Sequence, residues 1–249
     1  MARAYIGTSG WAYKHWKQSW YGGLPPSRWL AHSAERFTGL EANGTFYRLQ
    51  SRESFEAWAA QVPEDFRFTI KAHRFLTHRK RLLEIGEGIR KQKEPAAGLG
   101  EKLACVLWQL PAQFHLNLER LQGFLEELGE WPETRHAIEF RHTSWFNAEV
   151  SALLSRHRVA NCISDAAAFP RWDVVTTDFV YVRLHGKPHT YCSAYSEVEL
   201  DEWAARCCSW LGAGHDVHVY FDNDANGHAP WDALGLLGRV NRDGLRSAA

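Results

Sequence analysis

The sequence lacks a long hydrophobic run. Its longest apolar stretch, residues 103–108, spans six positions, whereas a membrane-spanning helix needs about 18 or more. The first residues contain no apolar run of signal-peptide length, and Gly7 and Gly10 would interrupt one. We therefore expect a cytoplasmic protein with no membrane partner.

The sequence also lacks an excess of charge of one sign. Lysine plus arginine number 29, and aspartate plus glutamate also number 29. A balanced chain is not expected to bind nucleic acid or anionic membranes through bulk charge, although a local basic patch can still do so. Methionine occurs once but tryptophan occurs 12 times, so rigid aromatic rings must fill a core, line a cleft, or do both.

Cysteine is sparse and follows no recognisable pattern. The chain has five cysteines, with no Cys-x-x-Cys pair and no zinc-ligand spacing, which is typical of reduced thiols in the cytoplasm. The adjacent Cys207 and Cys208 lie on the apolar stripe of a helix whose start is predicted by the capping box Ser196-x-x-Glu199. This placement favours core cysteines over a redox pair.

The Gly-x-Gly-x-x-Gly and P-loop patterns of nucleotide-binding folds are absent. The chain contains instead a repeat of strand-like segments whose centres lie 19 to 38 residues apart. A strand–helix–strand unit takes about 30 residues, and helical stripes occupy several of the intervals. The eight predicted strands are residues 5–8, 39–43, 67–71, 105–109, 137–141, 161–165, 180–185 and 217–221.

The interval after the sixth strand differs from the others. It is too short for a full helix and contains Pro170, which favours a loop. The pattern therefore predicts an α/β fold, a single (β/α)8 TIM-type barrel over residues 1–249, in which one crossover helix, the one after strand 6, is replaced by a loop.

Polar residues recur where the predicted strands end, which is where barrels carry their catalytic side chains. Ion pairs such as Glu139–Arg141 could instead brace the barrel, but burying several charges costs several kcal/mol per ion unless they are paired. The recurrence at one end favours a functional site. The candidates are Trp11, Glu41, Asn43, Tyr47, Lys71, His78, Gln109, Glu139, Arg141, Trp145, Asp165, Arg183, His185, Tyr220 and Asn223.

Seven motifs then occur in order along residues 5–237. They are Gly7-Thr8-Ser9-Gly10-Trp11, Glu41-x-Asn43-x-Thr45-Phe46-Tyr47, Phe68-x-x-Lys71-Ala72 with Thr77-His78, Gln109-Leu110-Pro111, Glu139-x-Arg141-x-x-Ser144-Trp145, Arg183-x-His185-Gly186, and Tyr220-Phe221-Asp222-Asn223-Asp224 with Gly227 and Ala229-Pro230. Together they resemble the DUF72 (YecE-like) family. The resemblance implies a TIM-type barrel but no known reaction, because that family is a domain of unknown function. Asp232 stands where the family commonly has asparagine.

The residue types at the strand ends indicate acid–base chemistry on a small anion. Lys71, Arg141 and Arg183 favour a phosphorylated or otherwise anionic substrate, for which arginine's planar fork is suited. We predict an enzyme that catalyses hydrolysis or isomerisation without an organic cofactor. Glu139 is the expected base and His185 the proton shuttle, with Glu41 and Asp165 as further acid–base candidates. The expected substrate-binding residues are Arg141, Arg183, Lys71, Asn43, Gln109, Asn223 and His78, with Trp11, Tyr47, Trp145 and Tyr220 as flat walls.

Three alternatives remain open. A divalent metal is possible because Glu41, Glu139, Asp165, His185 and Asp222 can all act as ligands, but tight ligand spacing is absent and the interleaved arginines repel cations. The basic segment 73–93 could follow a phosphate backbone, although a solvated helix face is the simpler interpretation. The barrel could also be a non-catalytic sensor of a small anion. The oligomeric state is not indicated.

Overall fold

The computed structural model describes residues 2–247, which form eight parallel strands in a nearly closed barrel with helices between them. The strands are β1 Ala4–Thr8, β2 Gly39–Ala42, β3 Arg67–Lys71, β4 Leu103–Gln109, β5 Arg135–Glu139, β6 Val159–Asp165, β7 Phe179–Leu184 and β8 Asp216–Phe221. Each strand from β3 to β7 pairs with both of its sequence neighbours, and β8 also pairs with β1. The predicted TIM-type barrel is confirmed.

Seven α-helices are found among the described residues, mostly packed outside the strands. They are α1 Trp29–Ala34, α2 Arg52–Ala59, α3 Gly86–Ala96, α4 Leu118–Glu127, α5 Ala148–Arg156, α6 Glu197–Gly212 and α7 Ala229–Ser247. The capping box at Ser196 starts α6 as predicted, with both of its hydrogen bonds formed. Residues 166–178, between β6 and β7, form the predicted loop. Within residues 2–247, no helix is both long enough and apolar enough to cross a bilayer.

The seam between β1 and β2 depends on a close backbone approach. These strands are joined by a single bridge between Ser9 and Glu41 rather than by a full ladder. A Cβ atom added to Gly7 would lie 2.0 Å from the carbonyl oxygen of Gly39, so only glycine fits there. The first motif therefore closes the barrel.

The barrel interior changes character along its axis, because alternate strand residues point inward. The lower layers are mainly aromatic and apolar: Cys105, Leu107, Ala137, Ala160, Cys162, Phe179, Tyr181 and Tyr220. The layer at the carboxyl ends is polar and buried, and includes Ser9, Glu41, Lys71, Gln109, Glu139, Ser164, Arg183 and Asp222. This change positions the candidate site.

Candidate active site at the carboxyl end of the barrel

A cavity of about 650 Å³ opens at the carboxyl ends of the strands. Its aromatic lining is Trp11, Tyr13, Phe46, Tyr47, Trp58 and Tyr191, and its polar lining is Asn43, Gln50, Lys71, His78, Gln109, Arg141, Asp222 and Asp224. Seven of the residues selected from the sequence therefore share one cavity: Trp11, Asn43, Tyr47, Lys71, His78, Gln109 and Arg141.

Beneath this cavity, Arg183 is the centre of a buried charge cluster, one member of which, Asp222, also lines the cavity. Its guanidinium makes five hydrogen bonds of 2.8–3.1 Å, which reach Ser9 and three carboxylates, those of Glu41, Glu139 and Asp222. All of its nitrogens are bonded within the protein, and the side chain is 0% exposed. Arg183 is thus placed to hold the carboxylates in position, not to bind an anion in the open cavity as the sequence suggested.

The two glutamates of the cluster are fully engaged. Glu41 also accepts hydrogen bonds from the hydroxyls of Ser9 and Tyr181. Glu139 accepts from Arg183 and Arg141, each at 2.9 Å. Burial alone would raise the pKa of Glu139, but the two guanidiniums outweigh it and hold that pKa well below its ordinary value. A base with so low a pKa is weak at neutral pH.

His185 is buried between two of these carboxylates. Its Nδ1 lies 3.0 Å from Asp222 and its Nε2 lies 3.5 Å from Glu139, but neither contact has good hydrogen-bond geometry. The ring is 0% exposed and packs edge-on against Phe169 and Tyr191. The imidazole therefore belongs to the buried cluster and does not line the cavity.

Arg141 connects the cluster to the cavity. Its Nε donates to Glu139 at 2.9 Å and its Nη1 to the hydroxyl of Tyr191 at 3.3 Å, while the guanidinium lies 4.0 Å from the centre of the Phe169 ring. Arg141 lies closer to the cavity than Arg183 because of its place in the chain. Arg141 follows the end of β5, whereas Arg183 lies inside β7. Among the described residues Nη2 has no protein acceptor, so it can donate to a ligand.

Lys71, the last residue of β3, also faces the cavity. Its ammonium donates to the side chain of Asn43 at 3.2 Å and lies 4.3 Å from the centre of the Phe46 ring. Burial, together with the nearby Arg183, lowers the pKa of Lys71 to about 8. The side chain is thus a desolvated amine with a single hydrogen-bond acceptor.

His78 follows β3 in a single π-helical turn, Phe75–Arg79. Its ring packs edge-on against Phe46, with the ring centres 5.0 Å apart, and its Nδ1 lies 2.9 Å from the hydroxyl of Thr77. Burial and the positive charges of Lys71 and Arg141 lower its pKa to about 4. At neutral pH His78 is therefore an uncharged imidazole, which lines the same cavity as Lys71 and packs against the same Phe46 ring.

Asp222 and Asp224 follow β8 but differ in environment. Asp222 is bonded to Arg183, and the effect of that guanidinium and of His185 exceeds that of burial, so its pKa falls. Asp224 forms no ion pair with any described residue and is only partly buried. Burial and the adjacent charge of Asp222 raise the pKa of Asp224 to about 6. It is the carboxyl group in this cavity that is suited to exchange protons near neutral pH.

Four other sequence-selected residues lie in neither the cavity lining nor the cluster around Arg183. The indole of Trp145 is buried and donates to the backbone oxygen of Phe114 at 2.6 Å, and Tyr220 is buried lower in the barrel, where its hydroxyl accepts from Thr69. The expectation that these two rings are cavity walls is therefore wrong. A strand-end position does not reveal which way a ring turns.

Asp165 and Asn223 are held by other contacts. Asp165 pairs with Lys187 and with Arg171, and is separated from the cavity lining. The amide of Asn223 donates to the backbone oxygen of Ser193 at 2.9 Å and to Asp232 at 2.7 Å. Asp232 also accepts from a backbone amide, that of Tyr195, so its carboxylate is used only as an acceptor.

Sequence reasoning missed several residues of the cavity lining, among them Tyr13, Gln50, Trp58, Tyr191 and Asp224. Trp58 lies in α2, and its ring meets that of Trp11 edge-on at 5.0 Å. Asp224 was part of a recognised motif, but nothing in the sequence separates its environment from that of Asp222. Tyr191 lies in the long loop after β7, which has no periodic pattern.

The metal and nucleic-acid alternatives can be compared with these positions. The described residues contain no group of three or more histidine, cysteine, aspartate or glutamate side chains arranged to hold a metal ion. In the basic segment, Lys91 pairs with Glu87 and Lys93 with Glu133. Such pairing is typical of a solvated surface. A metal requirement and nucleic-acid binding stay untested predictions.

Comparison with known proteins identifies relatives along nearly the whole chain. A family model described as "Protein of unknown function DUF72" matches residues 5–248. The UPF0759 protein YunF of Bacillus subtilis is 26% identical over 264 aligned positions, which cover 90% of each chain. The UPF0759 protein YecE of Escherichia coli is 28% identical over 144 positions, 57% of this chain and 50% of its own.

Solved structures show the same architecture. The crystal structure of a DUF72 family protein from Thermotoga maritima superposes with a TM-score of 0.86 at 28% identity, over 96% of this chain and 99% of the other. A DUF72 family protein from Enterococcus faecalis gives a TM-score of 0.83 at 19% identity, over 96% and 95%. At that identity the second likeness concerns the fold alone.

Proposed function

The chain belongs to the DUF72 family, and from that premise we propose that it is an enzyme that performs acid–base chemistry on a small anionic substrate, phosphorylated or polyhydroxylated, bound in the cavity at the carboxyl end of the barrel. The observation that carries the proposal is the contrast between Asp222 and Asp224. Two carboxyl groups two residues apart have pKa values displaced in opposite directions, a pattern typical of sites that assign acid–base roles.

Asp224 is the proposed acid–base residue. It faces the cavity, has no ion-pair partner among the described residues, and has a pKa raised to about 6. A group with a pKa near the working pH gives the best compromise between being in the correct protonation state and having driving force for proton transfer. Glu139, the base expected from the sequence, is 0% exposed and has a lowered pKa, so we assign it the role of fixing Arg141 and Arg183.

Arg141 is the proposed anion-binding group. Its free Nη2 and its position over the Phe169 ring hold a positive charge at the cavity surface, and a guanidinium fixed on one side by Glu139 loses little conformational freedom when it binds an anion. Trp11 and Tyr47 line the same cavity. Flat rings of this kind are suited to the faces of a sugar ring.

The proposal is tested with a panel of sugar phosphates and related small anions, followed by phosphorus and proton NMR. We expect turnover of at least one compound, reduced about 100-fold or more in Asp224→Asn, with affinity for the substrate nearly unchanged. Asp178→Asn, at the opposite end of the barrel, is the matched control and should behave as the wild type. In the wild type, the rate should fall as the pH drops through about 6 if Asp224 acts as a base.

The other possibilities predict different results. Binding of an anion that depends on Arg141 but never leads to turnover would indicate a sensor. Absence of anion binding at any ionic strength, together with retention of single-stranded nucleic acid at low salt, would favour the basic segment 73–93 as the functional surface. Turnover unaffected by Asp224→Asn would remove that residue from the mechanism.

A further inference from the structure

The described residues include two buried lysines, Lys71 and Lys102, which are 5% and 8% exposed. The ammonium of Lys102 donates to the backbone oxygens of Ala59 and Val62 at 2.9 and 3.0 Å, and it lies 3.3 Å from a carboxylate oxygen of Glu64. Three acceptors match the three N–H groups of an ammonium. Lys102 is therefore a structural ion with its hydrogen-bonding capacity used.

Lys71 is buried without comparable partners. Its ammonium has one hydrogen bond, to Asn43 at 3.2 Å, and no carboxylate oxygen of the described residues lies within 4.0 Å of it. The nearest carboxylates, in the cluster below, are already bonded to Arg183. One face of the amine rests on the Phe46 ring and the group lines the cavity. An amine that is desolvated and close to another cation is poised to react as a nucleophile.

We propose that Lys71 is a nucleophilic lysine and that the substrate of this cavity carries an aldehyde or ketone carbon, to which Nζ becomes covalently bonded as an imine. This inference rests on the proposed function and narrows its substrate class to small anionic carbonyl compounds such as sugar phosphates. Arg141 holds the anionic group of the substrate, and the carbonyl carbon then faces Lys71, which lines the same cavity.

The step balances without a further reactant. The lone pair of the free amine forms the C–N bond while the π electrons of the carbonyl move to its oxygen. One N–H proton and one proton from a cavity acid then reach that oxygen. The C–O bond breaks as the nitrogen lone pair forms the C=N bond, so water leaves and an iminium remains. The proton that the Lys71 ammonium must lose first goes to solvent water through the open cavity, because the imidazole of His78, with a pKa lowered to about 4, is too weak a base to take it. Asp224, with its raised pKa, is the candidate acid.

The environment makes the free amine available at neutral pH. A lysine with a pKa of about 8 is roughly one-tenth unprotonated at pH 7, whereas at its ordinary pKa the fraction is below about one in a thousand. Surface lysines should therefore react at least about 100-fold more slowly at this pH on protonation grounds alone. Lys102 should not react, since its three N–H groups are bonded.

Reductive trapping tests the inference directly. The full chain is incubated with dihydroxyacetone phosphate or with glyoxylate in the presence of sodium cyanoborohydride, and the adduct is located by peptide mass spectrometry. We expect a single main adduct on Lys71, with a trapping rate that rises with pH to half its maximum near pH 8. Inorganic phosphate should slow the trapping of dihydroxyacetone phosphate by competing for Arg141.

Two variants separate the possible outcomes. Lys71→Arg should lose the adduct while it still binds inorganic phosphate, and Lys102→Arg should be labelled at Lys71 like the wild type. No adduct at Lys71 with either probe, or labelling that is unchanged in Lys71→Arg, overturns the nucleophile. If that happens while phosphate binding and Asp224-dependent turnover persist, the proposed function stands and only the covalent step is wrong.

Discussion

The cluster around Arg183 and the cavity above it are made of the same kinds of residue, but they differ in how completely these residues are paired. Arg183 makes five hydrogen bonds and Glu41 and Glu139 are fully engaged. In the cavity, Lys71 has one hydrogen-bond acceptor and Asp224 has no ion pair with any residue that the structure describes. The most conspicuous charges are thus fully paired inside the barrel, and the chemistry that we propose uses the incompletely paired groups of the cavity.

The physical basis of the difference is burial cost. A charge at the bottom of the polar layer is far from water, so it is tolerated only with partners on every side. A charge at the cavity wall keeps some contact with water, so it is tolerated with fewer protein partners and can form its remaining hydrogen bonds with a ligand. Their pKa values differ accordingly: Glu139 and Asp222 have lowered values, and Lys71 and Asp224 are displaced toward neutrality.

The largest expected effect is on stability, from removal of the centre of the cluster. Arg183→Met leaves three buried carboxylates without their common partner, and breaking one buried pair already costs about 3–5 kcal/mol. We expect a loss at or above the upper end of that range in urea denaturation at pH 7. The matched control is Arg52→Met, whose exposed pair with Glu56 should be worth less than about 1 kcal/mol. A loss that is no larger for Arg183→Met than for the control would contradict the structural role of the cluster.

Removing one carboxylate should have a smaller effect on stability, and its sign should differ between the Arg183 cluster and the cavity. Glu139→Gln weakens two charge-assisted hydrogen bonds and should destabilise the protein by about 1–3 kcal/mol at pH 7. Because the native pKa of Glu139 is lowered, this contribution is present above its unfolded pKa and disappears as the pH falls through the native one. Asp224→Asn should instead stabilise slightly at pH 7, by less than about 1 kcal/mol after allowance for solvent screening.

The pH dependence of stability provides the control for Asp224→Asn. The native pKa of Asp224 is raised from 3.8 to about 6, so the wild type loses stability as the pH rises between these values. The advantage of Asp224→Asn should therefore be absent at pH 3.5 and complete above pH 7. Thermal unfolding of both proteins across this range measures it. If Glu139→Gln and Asp224→Asn changed the free energy of unfolding in the same direction at pH 7, the distinction between the cluster and the cavity would be wrong.

Much of the fold, and part of the site, could be predicted from the sequence. The spacing of the strands predicted the barrel, and the short interval before β7 predicted that a loop replaces one helix. Both features depend on local sequence pattern. The polar strand ends identified Lys71 and Arg141 as cavity residues for the same reason. Depth along the barrel axis could not be predicted: Arg183 and Arg141 look alike in sequence, but one lies inside a strand and the other two residues beyond its strand's end.

The direction of side chains in the loops could not be predicted from the sequence either. Trp145 lies in a short turn whose tertiary contact with Phe114 turns the indole inward, and such a contact is not encoded within the motif. Tyr191 reaches Arg141 from a loop fifty positions away in the chain. The pKa contrast between Asp222 and Asp224 depends on which of them meets Arg183, and that requires the closed barrel.

The most direct test of the central claim is the position of an anion in a crystal structure of the protein grown with inorganic phosphate. We expect phosphate in the cavity, within hydrogen-bond distance of Nη2 of Arg141, with the five hydrogen bonds of Arg183 unchanged. Phosphate bound to Arg183, with Glu41 or Glu139 displaced from it, would contradict the account, because the buried cluster would then be the binding site and not its support.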